Sequence, residues 1–172
     1  MNKIIVYNFL RFFILVFVQV VLLKNITMYN LNIPFLYILF IFLLPFKTPK
    51  FFLFFLSFTI GLGVDVFSNT LGLHAAACTL IAFLRILYIS ITVQNESQET
   101  IITPNLSTMG FRWFFIYTLL LTFTHHFCLY LFEVFDVNTA FNLFSKVLLT
   151  TTLTLFLVFI TELLFYKKQG NG

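Results

Sequence analysis

The sequence predicts an all-α membrane protein, a bundle of six transmembrane helices. Three observations carry that expectation. Of 172 residues, 60% are hydrophobic and only 9% are charged, whereas a soluble domain carries about 25% charged residues; the mean hydropathy is +1.02. Apolar runs recur at six places, each bounded by charged or turn-forming residues. The cations collect at alternate ends of those runs, as orientation in a bilayer requires. The chain reads as a single transmembrane domain over residues 1–172. Its net charge of +4 serves orientation and does not point to nucleic acid. The 27 Phe residues read as lipid-facing surface.

The first span covers residues 4–23. It lacks the Ala or Gly of a signal-peptidase site and has the length of a retained anchor. Arg11 can snorkel to the near interface, and Gln19 faces a neighbouring helix. A polar turn follows, with an Asn25-Ile26-Thr27 sequon to which no weight is given. The second span, 33–44, lies between Pro34 and Pro45 and is too short to cross a ~30 Å hydrocarbon core as an ordinary helix. Either it extends back through Leu31, or it lies in a thinned, protein-lined part of the membrane. Phe46 to Lys50 form a tight basic hairpin.

The third span, 51–67, stacks Ser57, Gly61 and Asp65 on one face, because they fall four residues apart. Small residues at that spacing let helices approach closely. Ser68 to Gly72 read as a turn. The fourth span, 73–93, places His74, Cys78, Ile81 and Arg85 on a common face, with His74 and Arg85 about 16 Å apart along the axis. Gln94 to Gly110 form a loop with room for a short surface helix. The fifth span, 111–132, begins beside Trp113, an interfacial anchor. After an acidic loop, the sixth span, 143–166, carries Thr150, Thr154 and Thr161 along one side, a candidate hydrogen-bonding seam.

With the N-terminus inside, eight cations (Lys3, Arg11, Lys47, Lys50, Arg85, Arg112, Lys167 and Lys168) fall at cytoplasmic ends and two (Lys24 and Lys146) at outer ends. This bias places both termini in the cytoplasm and requires the second span to cross.

The polar residues inside apolar sequence are the candidates for chemistry. Asp65, near the outer end of its helix, is a cap for the Ser68–Gly72 turn amides or a proton site, and the cap is favoured. His74 could pair with Asp65 or cap the turn. Arg85 reads as a solvated anchor at the cytoplasmic side. His126, Tyr130 and Glu133 share a face, which suits an interhelical network or a proton path. His125 and His126 point about 100° apart and cannot jointly chelate one ion. Cys78 and Cys128 read as packed free thiols. No metal ligand set, cofactor motif or catalytic constellation is present, so the chain reads as a non-enzyme.

Gly61-Leu62-Gly63-Val64-Asp65-Val66-Phe67-Ser68, then Leu71-Gly72-Leu73-His74-Ala75 and Arg85, resemble the pattern of the rod shape-determining protein MreD family. Pro34 through Tyr37-Ile38, and Leu44-Pro45-Phe46-Lys47-Thr48-Pro49, are similar to the second segment and hairpin of that family. The resemblance is strongest from Pro34 to Arg85. It implies an inner-membrane subunit of the cell-elongation, peptidoglycan-synthesising machinery. Its implied partner is MreC, with MreB, a glycosyltransferase and a class B penicillin-binding protein in the same complex. It also implies a fold similar to the substrate-binding subunits of energy-coupling-factor vitamin transporters, and this raises a second reading, a vitamin-type transport subunit. Ser57, Gly61, Asp65, Gly72, His74 and Arg85 are the candidate partner-contact or structural residues. The small-residue Ser57/Gly61 face is the expected groove for a partner helix.

Overall fold

The computed structural model describes residues 2–24, 33–94, 103–133 and 140–166. Helix α1 (Asn2–Phe17) runs on as a π-helical turn, Val18–Leu23. A 3-10 turn, Leu36–Ile38, leads into the single-turn α2, Leu39–Phe42. Then come α3 (Lys50–Ser68), α4 (Leu73–Thr92), the short α5 (Leu106–Met109), α6 (Phe111–Glu133) and α7 (Ala140–Leu164). No strand occurs among the described residues. Five helices, α1 with its π turn, α3, α4, α6 and α7, are long and apolar enough to cross a membrane. The chain is thus an all-α, multi-pass membrane protein. The sequon, residues 95–102 of the loop after α4, the Glu133 side chain and the Lys167-Lys168 end lie outside the described residues or side chains.

The second predicted span differs in kind from the others. Residues 36–44 are the most thoroughly buried stretch, with Tyr37, Ile38, Ile41 and Phe42 at 0% exposure. The five long helices pack around it, with Phe12 of α1 against Phe40 and Tyr117 of α6 against Phe42. Of the two readings of this short run, the protein-lined one describes it: protein, and not lipid, surrounds it.

Its contacts, with Glu162 of α7 in electrostatic reach of Arg11, give the direction of α1, α4, α6 and α7. At one level Gln19 of α1, His74 of α4, His125 of α6 and Thr154 of α7 touch Pro34 to Tyr37. At the other level Arg11, Arg85 and Tyr117 touch Phe42 to Leu44. Chain order along α1 and α6 therefore runs opposite to the 34–44 segment, and along α4 and α7 it runs parallel. We call the Gln19 level the upper end and the Arg11 level the lower end.

Helices α3 and α4 form the tightest pair. The turn between them needs two left-handed residues, Asn69 (φ 56°) and Gly72 (φ 83°), and Asn and Gly are the residues that adopt this region readily. Ser57, Gly61 and Asp65 all face inward, at 0% exposure for Ser57 and 2% for Asp65. A Cβ on Gly61 would sit 2.5 Å from Ala75 Cα and 2.5 Å from the His74 carbonyl oxygen. The small-residue face expected to receive a partner helix is thus covered by α4 of the same chain.

Backbone atoms cannot yield as a flexible side chain can, so Gly61→Ala must part α3 from α4. A loss of about 1–3 kcal/mol is expected. Gly63 is the control: its Cβ would meet nothing closer than Val16 Cγ1 at 3.9 Å, so Gly63→Ala should be neutral or stabilising. Thermal unfolding of both purified variants in detergent checks the pair.

Candidate functional site

A chain segment too short to close its own helical hydrogen bonds leaves backbone groups open, and in an apolar interior each open group costs several kcal/mol. The 34–44 segment has such groups at both ends, and side chains of the long helices meet them. At the upper end Gln19 Nε2 donates to the Pro34 carbonyl at 3.1 Å, and Phe35 N–H donates to Thr154 Oγ1 at 3.0 Å. At the lower end the Tyr117 hydroxyl donates to the Phe42 carbonyl at 3.1 Å. Arg11 Nη1 donates to Leu43 O at 3.3 Å, and Arg85 Nη2 donates to Leu44 O at 2.5 Å.

The upper end also holds a buried cluster of imidazoles around one phenol. Tyr37 Oη lies 2.8 Å from His74 Nδ1 and 2.8 Å from His125 Nε2, with Cys78 Sγ at 3.8 Å. Phe35 packs edge-on or tilted against His74, His125 and His126, with centroids at 5.3, 6.0 and 5.2 Å.

Donor and acceptor arithmetic fixes most of the protons. His126 Nδ1 faces the Thr122 carbonyl at 2.6 Å, which can only accept, so Nδ1 carries the hydrogen. Nε2 of the neutral ring then accepts from Thr154 Oγ1 at 3.1 Å, and Thr154 accepts from Phe35 N–H. This chain is fully directed. In the second chain Tyr37 has one hydrogen to give to two imidazoles. His125 Nδ1 is buried with no partner among the described residues. An orphaned lone pair is less costly than an orphaned N–H, which places the His125 hydrogen on Nε2. His125 therefore donates to Tyr37, and Tyr37 donates to His74 Nδ1.

Asp65 serves the same end of the bundle. Its Oδ1 accepts from His74 N–H at 3.1 Å and from the Thr70 hydroxyl at 2.5 Å, while its Oδ2 accepts from Ala75 N–H at 2.9 Å. It is a cap, but for the first turn of α4 and not for the Ser68–Gly72 amides. A carboxylate at a helix N-terminus is also favoured by the helix dipole. His74 meets Asp65 through its backbone; its ring goes to Tyr37. Gly72 is the N-cap of α4. Lys24 donates to the Phe67 carbonyl near the end of α3.

Two sequence expectations are corrected. Arg85 is no solvated anchor: it is 3% exposed, because the open Leu44 carbonyl gives it a buried acceptor. Arg11, expected to snorkel, is part-buried on Leu43 O and Asn8 Oδ1 and lies within electrostatic reach of Glu162. Of the predicted threonine seam only Thr154 bonds across helices. Thr150 and Thr161 donate to carbonyls of their own helix, as isolated threonines do. Glu162, which the sequence did not single out, accepts the Leu106 N–H at 3.0 Å and so docks α5.

Sequence reasoning brought His74, His125 and His126 to notice but missed Tyr37, the phenol that joins the first two. The signal was present: one hydroxyl in an apolar run bounded by prolines. Among the described residues no group of three or more His, Cys, Asp or Glu is placed to hold a metal ion. No family profile, curated protein or solved structure matches the chain. The site therefore rests on its own geometry.

Tyr37→Phe removes the one group that His74 Nδ1 and His125 Nε2 share, leaving His74 Nδ1 open in a dry core and His125 Nε2 only the distant Cys78 Sγ at 3.9 Å. A loss of about 1–3 kcal/mol in detergent unfolding is expected. Tyr88→Phe, on a half-buried tyrosine whose hydroxyl has no hydrogen-bond partner among the described residues, should change little in the same assay. Equal effects of the two variants would refute the bridging role of Tyr37.

Proposed function

We propose that this chain is a non-enzymatic scaffold subunit of the bacterial cell-elongation machinery, of the MreD kind, lying in the inner membrane and binding MreC. One observation carries the reading. The middle of the bundle is filled by residues 36–44 of the chain itself, and Gln19, Thr154, Arg85 and Tyr117 are engaged on the backbone of the 34–44 segment while His74 and His125 are engaged on Tyr37. A vitamin-binding subunit of the energy-coupling-factor kind would hold its ligand between helices, and here that volume is occupied by protein. The interior is built to hold a shape, as a scaffold requires.

The finer topology belongs to this proposal. The 34–44 segment counts as a sixth crossing, and both termini face the cytoplasm. The opposed directions of successive elements support it, as do Lys50 and Arg112 at the lower end. MreC would then meet a lipid-facing surface, since α4 covers the Ser57/Gly61 face. MreB, the glycosyltransferase and the class B penicillin-binding protein would join through the same assembly.

Affinity purification of the tagged full chain from membranes in mild detergent is expected to recover MreC in stoichiometric amount. Recovery of an ATPase module instead, with a small molecule seen by intact-protein mass spectrometry, would replace this reading by the transport one. Topology is checked separately in a Cys128→Ala background. Asp136→Cys should react with a membrane-impermeant thiol reagent added outside the cell, and Glu99→Cys should not; the reverse pattern would invert the proposed orientation.

A further inference from the structure

A groove of about 420 Å³ opens at the lower end between the close of α4 and the start of α6, lined by Tyr88, Met109, Gly110, Phe111, Arg112, Trp113 and Ile116. Its chemistry is mixed in one particular way. Tyr88 and Trp113 form an aromatic wall, with ring centroids 5.4 Å apart. Tyr117 backs that wall, 4.8 Å from Trp113 in a stacked arrangement and 5.5 Å from Tyr88. Trp113 is pinned by donation from Nε1 to Thr92 Oγ1 at 3.1 Å. Arg112 stands exposed on the rim, and no hydrogen bond or ion pair among the described residues engages it.

A second cation lies behind the wall. Arg85 is one turn before Tyr88 and contacts Tyr117. It is 3% exposed, and its Nε has no partner among the described residues. Glu162 docks α5 instead, and Asp65 is at the other end of the bundle. One cation, Arg112, thus stands on the rim of the groove and a second, Arg85, lies buried behind its wall, while Glu162, the described carboxylate of this end, is engaged by Leu106 N–H and pairs electrostatically with Arg11. Burial of an arginine without a counter-ion is costly, and a groove wall of Trp and Tyr at a helix end is the hallmark of the membrane–water interface.

We infer that this groove binds one anionic phospholipid. Its phosphate lies on Arg112, in the field of Arg85, and its glycerol and upper acyl carbons lie along Met109, Phe111 and Ile116. Charge complementarity selects an anionic headgroup, and the interfacial level of the groove selects a lipid over a soluble anion. The site is independent of MreC binding and needs only that the bundle sit in a membrane.

The test uses the full-length protein in maltoside micelles, titrated with phosphatidylglycerol, phosphatidylethanolamine or inorganic phosphate. Native mass spectrometry reads bound lipid and thermal unfolding reads protection. Phosphatidylglycerol should bind saturably and raise the unfolding temperature, and the other two should not. Arg112→Ala, at an exposed position, should weaken phosphatidylglycerol about tenfold, the loss of one charge-assisted hydrogen bond. Arg112→Lys should keep most of the affinity. Equal binding of phosphatidylethanolamine, or Arg112→Ala binding as the native chain does, would overturn the assignment. Equal protection by inorganic phosphate would make this a free-anion site and overturn the lipid. Should Arg112→Ala not fold, the headgroup comparison on the native chain still decides.

Discussion

A peptide group in hydrocarbon has no water to fall back on, and the central segment of this chain is too short to satisfy its own. That constraint orders the rest of the molecule. Pro34 O, Phe35 N, Phe42 O, Leu43 O and Leu44 O are met by Gln19, Thr154, Tyr117, Arg11 and Arg85. Each is a polar residue that would be anomalous on a lipid-facing helix. Each becomes ordinary once the segment between the helices is seen. The interior polarity is thus a socket whose contents come from the same polypeptide.

Helix α3 is the exception, since it offers the segment no side-chain hydrogen bond. It acts through α4. The fit of Gly61 on Ala75 fixes how near the two helices lie, and the Asp65 carboxylate fixes where α4 begins. From that start His74 and Arg85 follow at a separation of about 16 Å, one reaching Tyr37 and the other Leu44. The segment from Tyr37 to Leu44 is shorter than that, and the long side chains of Tyr37 and Arg85 close the gap. A shift of α4 along its axis would break both ends together.

The long helices were legible in the sequence because apolar length and bounding turns are local properties. Their ends lie close to where the runs end: 51–67 was expected and Lys50–Ser68 is found. The π turn at Val18–Leu23 left no such mark, since nothing in VQVVLL distinguishes it from an α-helix. The inward face of Ser57, Gly61 and Asp65 was legible as a close-contact face, but its partner was not: helical spacing tells what a face can accept and not which helix arrives. The same limit explains Arg85. Snorkelling is the inexpensive solution for an arginine near a helix end, and it gave way only because an unpaired carbonyl from a distant part of the chain was waiting inside. Tyr37 was passed over because its importance lies wholly in long-range partners.

The two charges most deeply placed, Asp65 and Arg85, do not neutralise each other. They sit on opposite levels of the bundle, and each is stabilised by the end of a helix. Asp65 faces the exposed amides of the α4 N-terminus, where the partial positive charge of the helix favours an anion. Arg85, with Arg11 beside it, faces the last carbonyls of the 36–44 segment, where the partial negative charge favours a cation. Helix ends stand in for counter-ions at both levels. The match is closer for Asp65, whose two oxygens take three donors, than for Arg85, which keeps an open Nε. The open Nε of Arg85 remains at the lower end behind the Tyr88–Trp113 wall, so the socket that holds the chain together also places a buried cation next to the surface it presents there.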